Sequence, residues 1–294
     1  MVARAAAPIP TTELGGLLLV DKPAGITSHD VVARVRRATH TRRVGHAGTL
    51  DPFATGLLVV LVGRGTRLMP YVQGEPKVYD AVIAFGRETD TDDVTGTVTR
   101  TAEPPDDAAI SRALPQLTGR INQLPPAYSA KQVGGVRAYA AARRGTPLEL
   151  EPSSVTIFEW RLDGRVGDQL SVRITCSGGT YVRALARDLG RATGSAAHLV
   201  SLRRVASGPF SVAEADTMED VDAGRFALEP LLDAIPGIPA QAIDETEFAR
   251  VAHGNAIAPR IGGERVALVH DGQLVAVAIH GPGGLHPKVV LIDP

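Results

Sequence analysis

The apolar residues of this chain are gathered into short runs of strand length, broken by helical stretches in no regular order. Leu17 to Val20 and Leu57 to Val62 are continuous runs, the pattern of strands buried on both faces. Val78 to Phe85 alternates, as a half-exposed strand does. Val155 to Trp160 and Leu170 to Cys176 read as strands paired across Asp163-Gly164, and His198 to Val205 leads into a strand and the turn at Gly208-Pro209. Helices are expected over Asp30 to Thr39, with Ser28 as cap and Val31, Val32 and Val35 as apolar stripe, and over Asp106 to Leu117, disturbed at Pro115. Two more are expected over Arg137 to Arg144, stopped by Gly145, and from a Thr180 cap through Ala192, ended by Gly194. A doubly wound fold needs a regular strand-helix-strand repeat. This order predicts the α+β class instead, with a mixed, largely antiparallel sheet flanked by helices.

A chain of 294 residues holds one large domain, or one large and one small. A break falls at Pro236-Gly-Ile-Pro239. Beyond it come a short helix, Glu245 to His253, and strands over Val266 to His270, Leu274 to His280 and Val289 to Ile292, the first two joined as a hairpin at Asp271-Gly272. The expected division is a main domain over 14–236 and a small β-rich domain over 237–294. Residues 1–13, rich in alanine and proline and without the apolar segment of a signal peptide, read as a floppy tail on a cytoplasmic protein. No apolar run approaches the length of a membrane span. The single cysteine, Cys176, excludes a disulfide framework within the chain and a multi-cysteine zinc site, and its place in an alternating run predicts burial.

Net charge is −1, yet the charges are unevenly placed. Arg34, Arg36, Arg37, Arg42 and Arg43 crowd one stretch with His40 and no acid. Lys131, Arg137, Arg143 and Arg144 form a second acid-free group, Arg183, Arg187 and Arg191 recur at helical spacing, and Arg203-Arg204 follow. The acids gather later, from Glu214 to Glu247. Either each cluster is a solvated helix face, or together they form a basic surface for a polyanion; the sequence leaves both open.

The richest segment is the loop Gly45-His-Ala-Gly-Thr-Leu-Asp-Pro-Phe-Ala-Thr-Gly56, set between a basic helix and a buried strand. Asp51 precedes Pro52, which biases it to extended backbone. By itself it is either the acid of a turn or a carboxylate held for chemistry. Tyr79, beside Lys77 in a strand, and Tyr181, in a first helical turn with Arg183, are either core or site residues by the same reasoning.

This loop resembles the catalytic motif of the bacterial tRNA pseudouridine synthase B (TruB) family. Supporting segments follow in the family's order: Leu19-Val-Asp-Lys-Pro-Ala-Gly-Ile-Thr-Ser28, Lys77-Val-Tyr-Asp-Ala81, Pro125-Pro-Ala-Tyr-Ser-Ala130, Gly179-Thr-Tyr-Val-Arg-Ala-Leu185 and His198-Leu-Val-Ser-Leu-Arg-Arg204. They cover roughly Leu17 to Phe210. The region after Pro239 matches more weakly, where the family carries a PUA-like RNA-binding domain, and an RNA-contacting insertion is expected over about 119–152.

The resemblance implies conversion of uridine 55, in the T arm of tRNA, to pseudouridine. It implies no metal or organic cofactor, no membrane, no obligate protein partner and a monomer. By motif, Asp51 is the catalytic aspartate, Arg183 its partner and Tyr181 the base for the C5 proton. Tyr79 stacks on the extruded uracil, His46 helps flip and hold the RNA, and Leu202 lines the base pocket. Lys22 and Lys77 join the substrate-binding set, Lys22 facing the RNA backbone with Arg36, Arg37, Arg42, Arg43, Lys131 and Arg137.

These roles agree with the chemistry. Extruding a base costs a few kcal/mol, and stacking it on an aromatic ring returns about 1–3 kcal/mol. One carboxylate attacks as a nucleophile or removes a sugar proton, and an adjacent arginine favours the ionised form either needs. Ordinary glycoside hydrolysis uses two carboxylates; the loop supplies one, which sets a nucleoside hydrolase aside. A tRNA-binding folding helper with incidental catalysis is the second reading. Two departures from the family pattern are visible. Gln132 stands where the family usually has lysine, with Lys131 one place earlier, and the loop reads His46-Ala47-Gly48 where threonine is frequent at the middle position.

Overall fold

A computed structural model describes residues 15–72, 74–129, 131–133, 136–146 and 148–292. The expected tail, 1–13, lies outside the described residues. The chain opens with β1 (Gly15–Lys22), α1 (Ser28–Ala38), β2 (Val44–Ala47), β3 (Thr55–Gly63), β4 (Lys77–Phe85), β5 (Arg87–Thr89), β6 (Val98–Thr101), α2 (Asp107–Ala113) and β7 (Gly119–Gln123). It continues through β8 (Gln132–Val133), β9 (Val136–Arg137), α3 (Ala138–Arg143), β10 (Ser153–Val166), β11 (Gln169–Cys176), α4 (Val182–Ala192), β12 (Ala197–Ser207) and β13 (Phe210–Ser211). It closes with β14 (Asp216–Thr217), α5 (Met218–Asp222), β15 (Ala240–Ala242), α6 (Glu245–Ala252), β16 (Arg265–His270), β17 (Gln273–Gly281) and β18 (Gly284–Val290). The fold is α+β with mixed, largely antiparallel pairing, as the order of elements predicts: β1 with β14 and β15 with β16 are parallel, and the other long strands pair antiparallel.

The described residues form two compact units, one drawn from 1–52, 56–74 and 209–294, the other from 53–55 and 75–208. In the first, β1 and β3 pair with Leu19 opposite Val59. Their continuous apolar runs are explained by burial on both faces. Leu18, Val20, Leu58, Val60 and Val62 meet Val31, Val32 and Val35 of α1. Leu17, Leu19, Leu57, Val59 and Leu61 meet Leu231, Ile235 and the terminal-sheet residues Ala267, Leu274 and Val277. The other face of that terminal sheet, β15-β16-β17-β18, is covered by α6 through Val251 and Phe248. Arg64 Nη1 donates to Leu291 O at 2.9 Å, and Arg67 also donates to Val290 O. The hairpin between β16 and β17 turns at Asp271 (φ 48°) and Gly272 (φ 75°), the two left-handed residues of a tight hairpin loop.

In the second unit the strands run β12-β4-β11-β10-β7, each antiparallel to the next. Tyr79, Ala81, Ile83 and Phe85 of β4 share one buried face, and Leu170, Val172, Ile174 and Cys176 are the buried residues of β11. Helix α4 packs on β12. Burial pushes the Cys176 thiol up to about 11, so it stays protonated.

Three local expectations are corrected. The turn expected at Asp163-Gly164 falls at Gly167 (φ 57°) instead, because β10 continues to Val166, absorbing Asp163 as a register shift and pairing Gly164 with Ser171 of β11. Helix α1 is capped by Thr27, not Ser28: Thr27 and Asp30 form a reciprocal capping box. Helix α4 has Tyr181, not Thr180, at its cap position. The helix disturbed at Pro115 is found as α2 followed by a 3-10 turn over Leu114–Leu117.

Candidate active site

Asp51 is held by the bonds of its neighbours. The hydroxyl of Ser28 accepts from Leu50 N at 2.9 Å and donates to Leu50 O at 3.1 Å. On the other side, Pro52 O accepts from Gly25 N at 2.8 Å and from Lys22 Nζ at 3.3 Å. Both peptides flanking the Leu50-Asp51-Pro52 triplet are therefore tied to the segment Lys22–Ser28. Gly25 makes its approach at φ 86°, a conformation few other residues hold. The segment is legible as a motif, but Ser28, expected as a helix cap, anchors the loop instead. Ser28→Ala is expected to lower stability by about 1–3 kcal/mol, since Leu50 is buried and loses its partner, and to slow turnover; thermal melts beside turnover assays check both.

Lys22, expected at the RNA backbone, is corrected to an internal brace. It is 0% exposed, and its ammonium also donates to Pro23 O and Ile26 O, each at 2.8 Å. A buried ammonium is tolerable only with such acceptors. His46, in β2, is half-buried, its ring edge-on to His29 of α1 at 5.8 Å. Asp51, His46 and Lys22 belong to the first unit, while Lys77, Tyr79, Tyr181, Arg183 and Leu202 belong to the second.

In the second unit, Tyr79 and Leu202 are buried in the neighbouring strands β4 and β12, with Tyr79 opposite Arg204 and Leu202 opposite Ala81. Lys77 begins β4, and burial pulls its ammonium below the usual lysine range, helped by the nearby Arg204. Tyr181 stands at the start of α4 and Arg183 in its first turn. The Arg183 guanidinium is buried, donates to Thr91 O at 2.9 Å and Tyr128 O at 3.0 Å, and lies 3.6 Å from Asp93. Asp93 is itself held by Thr91 Oγ1 at 2.8 Å, Thr95 N at 2.9 Å and Thr95 Oγ1 at 2.6 Å.

The arginines spaced along α4 are not a solvated basic face. Arg187 donates to Asp92 at 2.8 Å and to Asp188 at 2.9 Å, and Arg191 pairs with Glu88. Burial raises the Asp92 carboxyl to about 6, against the pull of Arg187 and Arg183. Arg204 is likewise fully buried. These acids escaped the sequence reading because no local pattern pairs Glu88, Asp92 and Asp93 with residues 90 or more places away.

The arginines near α1 differ. Arg36, Arg37, Arg42 and Arg43 are exposed, with Arg36 donating to Val44 O at 3.1 Å. Lys131 is half-buried and bonded to Ser153. Arg137 lies in β9 and Gln132 in β8; their side chains lie outside the described residues. Among the described residues no group of three or more His, Cys, Asp or Glu could hold a metal ion, and no helix is long and apolar enough to cross a membrane.

Comparison with known proteins gives the same picture throughout. Residues 36–182 match the N-terminal domain of the TruB family pseudouridylate synthases, and residues 183–234 the C-terminal domain of tRNA pseudouridylate synthase B. The chain is 46% identical to a tRNA pseudouridine synthase B from Thermobifida fusca, over 94% of this chain and 98% of that protein. It is 40% identical to one from Paracoccus denitrificans, over 95% and 96%. Its fold resembles a chain of an H/ACA ribonucleoprotein bound to a substrate RNA containing 2'-deoxyuridine, with a TM-score of 0.71 at 23% identity, over 96% of this chain and 86% of that one. With the Asp51 loop anchored on both sides, family models matching residues 36–182 and 183–234, and relatives matching nearly the whole length, the chain belongs to the TruB family of pseudouridylate synthases, which are isomerases.

Proposed function

We propose that this enzyme converts uridine 55 in the T arm of tRNA to pseudouridine, with Asp51 at the chemical centre. The observation that carries the reading is the two-sided anchoring of the Asp51 loop by Ser28, Gly25 and Lys22. A reacting group must be held to well within an ångström, and bonds to the neighbouring backbone do so.

The uridine is extruded and stacks on Tyr79, with His46 holding the RNA and Leu202 lining the base pocket. Asp51 acts as a carboxylate at the sugar, by attack at C1′ or by removal of a sugar proton, and the C1′–N1 bond breaks with its electron pair going to the uracil. The uracil turns and C1′ bonds to C5. Tyr181 takes the proton that C5 then loses, and N1 ends protonated. Arg183 supports the ionised Asp51. Uracil is both leaving group and acceptor, so the step needs no oxidant, reductant or metal.

The exposed Arg36, Arg37, Arg42 and Arg43 are proposed to meet the tRNA backbone. Replacing Arg36 and Arg37 by glutamine is expected to weaken tRNA binding and to flatten the slope of log K against log salt by about 0.7–0.9 per lost phosphate contact. Titrations at several salt concentrations check this, and an unchanged slope places α1 away from the RNA. Lys77, Lys131, Arg137 and the 237–294 region, as a PUA-like domain, are proposed as further RNA contacts, and the enzyme as a cytoplasmic monomer.

The test is to treat unmodified tRNA transcript with the enzyme and map pseudouridine by carbodiimide adducts and primer extension. One new stop, in the T loop at position 55, is expected. A stop elsewhere, or none, overturns the assignment.

A further inference from the structure

We propose that Gln123 is a positioning residue that aims Tyr181 through the backbone, and that the segment from Gln123 to Tyr128 is a strap setting the first turns of α4. Gln123 ends β7 and is 1% exposed. Its Oε1 accepts from Tyr181 N at 2.8 Å, and its Nε2 donates to Tyr181 O at 3.1 Å. The opposite orientation of the amide would satisfy neither group, so the assignment is unambiguous.

These two bonds fall on the two peptide groups either side of the Tyr181 Cα. Holding both sets φ and ψ of that residue, here −99° and 105°, and with them the direction of its Cα–Cβ bond. Tyr181 occupies the cap position of α4, and no side-chain capping bond is made there. A cap residue without such a bond has loose backbone, and the Gln123 carboxamide takes over that function. The strap continues with the same logic. Arg187 Nη2 donates to Leu124 O at 2.8 Å, and Arg183 Nη2 donates to Tyr128 O at 3.0 Å. The strap therefore holds the phenol and the guanidinium of one helical turn in a single register.

This inference rests on Tyr181 being the group that takes the C5 proton. Three variants test it by single-turnover release of C5 tritium, with tRNA affinity and melting temperature measured alongside. Gln123→Met removes both bonds at similar volume and is expected to slow release by about 100-fold, the effect of misplacing a reacting group by an ångström, with affinity unchanged. Gln123→Glu supplies a pH readout. A neutral carboxyl offers an O–H and a C=O where the carboxamide offers N–H and C=O, and burial favours that neutral form. Its rate relative to wild type is therefore expected to rise about 10-fold as pH falls from ~8.5 to ~5.5, a change a purely structural role would not produce. Wild-type rates in Gln123→Met, or a flat ratio across pH in Gln123→Glu, overturn the proposal. Tyr181→Phe separates the two failures. If it is slow while Gln123→Met is fast, only the positioning role falls; if it keeps the wild-type rate, the assignment of Tyr181 falls, and the proposal with it.

Discussion

Asp51→Asn is expected to abolish isomerisation, lowering the single-turnover rate by on the order of 10⁴-fold or more, while tRNA affinity stays within about threefold of wild type. The substitution keeps the shape of the side chain and removes its charge and basicity, which either chemical role requires. It should leave the loop in place, because Ser28 grips the backbone of Leu50, and Gly25 and Lys22 grip that of Pro52. Rapid-quench assays of tritium release, with filter binding on the same tRNA, check both halves. Rates near wild type would remove Asp51 from the centre. A loss of rate and affinity together would point to a collapsed loop. Binding and tRNA folding that persist without catalysis would favour a folding function beside the enzymatic one.

Arg183→Ala is expected to cut turnover by about 10²–10³-fold, the usual consequence of losing one charged donor at a reacting oxyanion or carboxylate. The change in tRNA affinity should be far smaller. A stability loss accompanies it, because Asp93, itself buried, loses the guanidinium 3.6 Å away. Arg183→Lys sorts these effects. It keeps the charge near Asp93 but loses the fork that reaches Thr91 O and Tyr128 O together, so it should recover stability more than turnover. Equal losses in turnover and affinity for the alanine variant would count against a supporting role for Arg183.

The fold class was legible because the strand runs are continuous or cleanly alternating. Leu57 to Val62 reads as doubly buried, and it is: Leu57, Val59 and Leu61 enter one core, Leu58, Val60 and Val62 the other. The errors arose where a polar side chain could serve either a helix end or a distant loop. Ser28 has the chemistry of a cap, but a tertiary partner, Leu50, claims it, and the adjacent Thr27 occupies the cap position.

The site was legible as motifs and much less so as contacts. Asp51, Tyr79, Tyr181 and Arg183 stood out because whole segments matched a family pattern, whereas Gln123 did not, being one polar residue at a strand end. The basic clusters divided in a way no local pattern reveals. Those on α4 are neutralised inside the unit by Glu88, Asp92 and Asp188, while Arg37, Arg42 and Arg43 remain exposed. Lys22 shows the same limit, since its expected place at the RNA backbone gives way to a buried one only when its three carbonyl acceptors are seen.

The most direct test of the central claim is tritium release from two tRNA transcripts labelled at C5 of every uridine, one natural in sequence and one with cytidine at position 55. The account predicts about one label released per molecule of the first and none from the second. Release from both alike, or from neither while the tRNA is bound, would contradict it.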